Sequence, residues 1–180
     1  MGIDVYMSGS PRLREELGWH GRAGYLRESY HGGPYAIPVL LPEGWERDPE
    51  EGYFPIAAAT LRERLPATVF TALARQAIVY GDQDASTGKI DLGDAAVMPP
   101  PDGELDEGAL KAIRDLFSNL TFPDPEAPLP DLSEEQHRAI ADMIAACNLP
   151  QDALEIVDFV ELAERQEREI GEPVEIWVDH

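Results

Sequence analysis

The chain has 180 residues, 43% hydrophobic and 27% charged, enough for one domain with a substantial buried core. Its 35 Asp+Glu against 14 Lys+Arg give a net charge of −21, which repels phosphate and disfavours both nucleic acid and an anionic membrane surface as partners. The single cysteine, Cys147, excludes an internal disulfide.

Ile3, Val5 and Met7 alternate with Asp4 and Tyr6, which predicts a strand with one buried face. No basic region precedes an apolar one here, so no signal peptide is expected. The glycine-rich stretch 8–35 reads as irregular chain with a short helical turn at Leu13–Leu17. Ala36–Leu41 is apolar but holds Pro38, which points to an edge strand or an extended segment. The uncharged run Ser29–Pro42 is too short and too interrupted by proline to span a bilayer. These features together suggest a soluble, cytoplasmic protein.

From Ile56 the apolar period becomes helical. Ala57–Leu65 forms one run that Pro66 ends or kinks, and Ala67–Tyr80 continues it until Gly81. Lys89–Leu92 reads as a short strand, and Pro99-Pro100-Pro101 as a stiff connector. Asp106 N-caps a helix that buries Leu110, Ile113, Phe117 and Leu120. Ser133 with Gln136 makes a capping box for a helix burying Ile140, Met143, Ile144 and Cys147. A third helix begins near Pro150, is apolar almost all round through Ala163, and stops at Gly171 and Pro173. Val174, Ile176 and Val178 then alternate with Glu175 and Trp177 in a final strand.

Strands at both ends with helices between predict an α+β fold. The expected architecture is a small sheet containing the N-terminal and C-terminal strands, covered on one face by about five helices. The expected organisation is a single domain over 1–180. Residues 1–55 supply an aromatic, glycine-rich β/loop part, and 56–180 a mainly helical, acidic part ending in a strand. If the two terminal strands are neighbours, the open face of the sheet presents Asp4, Tyr6, Glu175 and Trp177.

The two halves differ in chemistry. Residues 1–90 carry 9 basic and 12 acidic residues, whereas 91–180 carry 5 and 23. Eight of the 14 aromatic residues fall within the first 54 positions. The near-neutral, aromatic part is therefore the place to look for a ligand. Its densest stretch is Gly24–Tyr35. Arg27 offers a fork-shaped cation, His31 an acid–base group near neutral pH, and Tyr25, Tyr30 and Tyr35 stacking faces with a hydroxyl. Gly32-Gly33 permits close backbone approach. Tyr25, Arg27, Tyr30, His31 and Tyr35 are the candidate ligand-binding residues, and His31 and Glu28 the candidate catalytic ones. The competing reading is structural: Arg27 and Glu28 pair with neighbours, and the tyrosines pack at a sheet edge.

Gly24–Tyr35, Val157–Glu164 and Gly171–Ile176 together resemble segments of a set of uncharacterised bacterial and phage-borne proteins, over about a quarter of the chain. That resemblance implies no activity and no catalytic residues. It implies only that these segments belong to one functional or structural unit.

Asp82, Asp84 and Ser86 fit the first three ligand positions of a calcium loop, with Asp94 as the closing carboxylate. One residue too many lies before Asp94, and Met98–Pro101 leaves no exit helix, so a solvated acidic loop is the better reading. No phosphate loop, dinucleotide fingerprint, His-Glu-x-x-His or Cys-x-x-Cys occurs, and no cofactor is expected. Three functions stay open. One is a binding or interaction protein for a small molecule or another protein, with its ligand surface at 25–35. The second is a small enzyme acting on an anionic or polar molecule, with Arg27, Glu28, Tyr30 and His31 at its site. The third is an acidic mimic of nucleic acid.

Overall fold

The N-terminal alternation forms strand β1 (Gly2–Ser8), with Ile3, Val5 and Met7 buried, in a computed structural model that describes residues 2–8, 24–29, 34–45, 54–80, 82–83, 90–91, 107–117, 129 and 131–179. The elements that follow are β2 (Tyr25–Ser29), α1 (Ile37–Leu40), β3 (Phe54–Ile56), α2 (Ala58–Tyr80), β4 (Asp82–Gln83), β5 (Ile90–Asp91), α3 (Glu107–Phe117), α4 (Glu134–Ala145), α5 (Gln151–Ile170) and β6 (Val174–Asp179). Four strands form an antiparallel sheet in the order β2-β1-β6-β3, and β4 and β5 pair separately. The fold is α+β. The first and last strands are neighbours at the centre of the main sheet, as their single apolar faces predict.

The chain divides into two compact units. The first comprises Met1–Tyr30, Ile37–Leu65 and Glu155–His180; the second comprises His31–Ala36 and Pro66–Leu154. Among the described residues, no helix is long and apolar enough to cross a membrane.

In the first unit the period-2 rule sorts every strand. Ile3, Val5, Met7, Leu26, Glu28, Phe54, Ile56, Val174, Ile176 and Val178 all turn to the buried side. The adjoining stretches of α2 and α5 bury Ala58, Leu61, Leu65, Phe159, Val160, Leu162 and Ala163 in the same core. Two side-chain contacts tie these helices together. Arg62 grips Glu164 through two hydrogen bonds, and Glu167 Oε2 accepts the N–H of Ala58 at 2.5 Å. β1 and β2 approach so closely at Gly2 that a Cβ there would lie 2.7 Å from the Glu28 carbonyl oxygen.

Several elements differ from the sequence reading. Residues 25–29 are a strand, not irregular chain. Residues 37–40 are a helical turn, not an edge strand. Pro38 sits in the first turn, where a missing N–H breaks no helical bond. Both ends of α1 are also satisfied by side chains: Glu28 Oε2 accepts the Ile37 N–H at 3.0 Å, and Arg64 Nη1 donates to the Leu41 carbonyl at 2.9 Å. Pro66 does not end α2, which runs through it. Leu65 and Val69 on either side are fully buried, so packing offsets the lost helical bond.

In the second unit, α2 contributes Val69, Phe70, Leu73 and Ala74 to the core, and α3 contributes Ile113, Leu116 and Phe117. Phe70 and Phe117 stack with centroids 5.3 Å apart. The predicted capping box of α4 is present in both halves: Gln136 N–H donates to Ser133 Oγ, and Ser133 N–H donates to Gln136 Oε1. Cys147 is a correction. It is exposed rather than core, because α4 ends before it and its φ is 50°. Its N–H donates to the Ile144 carbonyl and that of Asn148 to the Met143 carbonyl, a two-bond helix stop in which cysteine occupies the left-handed position usually given to glycine.

Candidate functional site on the open face of the sheet

Residues that alternate with the core set point the other way. In register across β2, β1 and β6 they form two rows. One row is Tyr25, Tyr6 and Trp177; the next is Arg27, Asp4 and Asp179. Glu175 adds a second acidic position on β6, opposite Pro55 of β3. All nearest-neighbour ring centroids in the aromatic row are 5.0 Å apart, with planes tilted by 38° between Tyr25 and Tyr6 and 36° between Tyr6 and Trp177. That tilt leaves parts of each ring on the surface, and all three residues are half-buried.

The charged row is graded. The Asp4 side chain is 17% exposed and that of Arg27 57% exposed, with Arg27 Nη1 at 3.7 Å from Asp4 Oδ1. The Tyr25 hydroxyl donates to the same Asp4 oxygen. Burial, reinforced by that hydrogen bond, raises the Tyr25 pKa, so the phenol stays protonated and remains a donor. The neighbouring Tyr25 hydroxyl and the Asp4 carboxylate raise the Arg27 pKa, so the guanidinium stays charged. Asp4 thus ties the aromatic row to a fixed cation at the β2 edge. At the β6 side the chemistry reverses. Glu175 and Asp179 are exposed, flank Trp177 on its own strand, and have no cationic partner among the described residues.

The 25–35 segment is divided by strand geometry. Tyr25 and Arg27 meet on the open face. Glu28 turns inward, is buried, and holds the first N–H of α1. Tyr35 lies in the second unit, where Arg75 stacks over its ring at 4.8 Å. Tyr30 and His31 lie outside the described residues. Of the calcium-loop candidates, Asp82 lies in β4, paired with Asp91, while Asp84, Ser86 and Asp94 also lie outside the described residues. Among the described residues no group of three His, Cys, Asp or Glu is arranged to hold a metal ion.

Sequence reading named Tyr6 and Trp177 as open-face residues but did not join them to Tyr25. The missing link was β2, whose alternation is obscured by Glu28 at an inward position. Comparison with protein-family models, curated proteins and solved structures finds no match.

Proposed function

We propose that the protein is a binding protein whose recognition surface is the open face of the four-stranded sheet. The observation that carries this reading is the row Tyr25–Tyr6–Trp177, three aromatic side chains side by side across three strands and flanked by charged groups. Aromatic residues with a polar rim supply large contact area at low entropic cost, the chemistry of recognition surfaces. Tyr25 and Arg27 carry over from the 25–35 segment, and Tyr6, Trp177, Glu175 and Asp179 complete the surface. The face supports binding better than catalysis. Glu28, a candidate acid–base group, is withdrawn to the other side of the sheet and engaged with Ile37.

The test is a thermal-shift screen of small molecules and peptides on the wild-type chain, repeated on Trp177→Leu for every hit. A ligand of the face stabilises the wild type by mass action and loses that effect in the variant. Hits that stabilise both proteins equally would place binding elsewhere and remove this reading.

A further inference from the structure

We infer that the partner of this face is a basic, extended peptide segment whose arginine or lysine side chain lies over Trp177 between Glu175 and Asp179; this rests on the open face being the binding surface. Same-face residues two apart on a strand stand about 7 Å from one another. Glu175, Trp177 and Asp179 therefore present carboxylate, indole and carboxylate in line along β6. A cation above an indole is attracted by the ring's electron-rich face, and a carboxylate on each side adds charge-assisted hydrogen bonds.

The register strengthens the case. Asp4 and Asp179 are direct cross-strand partners, a like-charge pair that costs stability in an empty sheet. Asp4 is offset by Arg27 and Tyr25 on its other side. Asp179 has no described counterpart, and an incoming cation would supply one. Arg27 at the far edge repels a second cation there, so the surface is polarised from β2 to β6. The net charge of −21 attracts basic segments and repels acidic ones at long range. An extended peptide repeats its same-side residues at the spacing of β6 itself, so a basic side chain over Trp177 sets the next same-side positions beside Glu175 and Asp179.

The experiment uses the full chain and three probes at physiological ionic strength. They are a labelled peptide alternating arginine with serine, its glutamate–serine counterpart, and a neutral linear glucan oligosaccharide. Affinity is measured for wild type, Trp177→Leu, the pair Glu175→Gln with Asp179→Asn, and a control pair Glu134→Gln with Glu135→Gln on α4. A melting curve accompanies each variant. Binding of the arginine peptide alone is expected, weakened about tenfold by Trp177→Leu and about fivefold by the β6 pair, and unchanged by the α4 pair. The β6 pair replaces exposed side chains with close isosteres, so it decides the matter even if Trp177→Leu unfolds. Equal losses from the α4 and β6 pairs would mean diffuse charge attraction and overturn the inference. Failure of the arginine peptide to bind would also overturn it. If the glucan then binds and is lost in Trp177→Leu, the open face survives as a binding surface with a neutral partner.

Discussion

Arg62 and Glu164 meet as a fork-to-fork pair, Nε to Oε1 at 2.8 Å and Nη2 to Oε2 at 2.6 Å, joining the first turns of α2 to α5. The two side chains are 38% and 28% exposed, so solvent screens part of the attraction. What makes the pair effective is its two parallel hydrogen bonds, which fix geometry as well as charge.

The hydrogen bond from Arg62 lowers the Glu164 pKa below the ordinary glutamate range. A depressed folded-state pKa means stability that is present above the unfolded value and lost as pH falls through the folded one. Glu164→Gln is therefore expected to destabilise by about 1 kcal/mol near neutral pH. The difference from wild type should vanish in acid. Urea unfolding across the acid range checks this, and a gap that persists below the carboxylate range would contradict it.

Asp158 has the opposite sign. Partial desolvation, then the like charges of Glu161 and Glu155, raise its pKa. An acid with a raised folded-state pKa contributes stability below its unfolded pKa, lost as pH rises through the folded one. Asp158→Asn should be neutral or stabilising by about 0.5 kcal/mol at neutral pH, since the group is solvent-exposed. That advantage should shrink on acidification, measured by the same unfolding series.

Glu28 offers a test of structure against catalysis. Its carboxylate is buried on the inner side of the sheet and accepts the Ile37 N–H. Glu28→Ala is expected to cost about 2 kcal/mol, as for a buried hydrogen bond to a charged group. Glu28→Gln, which keeps an acceptor oxygen, should cost less. Equal stability of Glu28→Ala and wild type would show that α1 does not depend on this contact.

Cys147 occupies a left-handed conformation that glycine adopts without strain. Cys147→Gly should therefore leave the α4 stop intact and raise stability by about 0.5 kcal/mol, the relief of backbone strain exceeding the entropy that glycine adds to the unfolded chain. A lower melting temperature for the variant would refute that balance.

The elements legible in the sequence were those whose local chemistry is self-sufficient. The capping box at Ser133, the stop at Gly171 and the alternations of β1 and β6 need no distant partner to be recognised. What sequence reading missed depends on contacts between remote residues. β2 is hidden because an inward position holds Glu28, whose carboxylate accepts a hydrogen bond from the distant Ile37 N–H. α1 reads as extended because Pro38 and the short apolar run give no sign that Arg64 will donate to the carbonyls at its C-terminal end. The candidate site was half visible for the same reason. Tyr25 and Arg27 were singled out in one segment, yet the rings beside them, Tyr6 and Trp177, come from strands at opposite ends of the sequence.

The ladder between β1 and β6 also sets an order of events for a chain leaving the ribosome. β3 pairs only with β6 among the described strands, and β1 has β2 as its sole earlier partner. Until Val174–Asp179 emerges, the main sheet has only the β1–β2 pair, and Ile3, Val5 and Met7 lack the buried β6 neighbours Val174, Ile176 and Val178. Closing Asp4 onto Asp179 joins residues from almost the whole span of the sequence, so loop entropy makes this a late step. During synthesis β1 thus keeps one open edge and a sticky face, the kind of segment that holdase chaperones shield and that neighbouring nascent chains can capture.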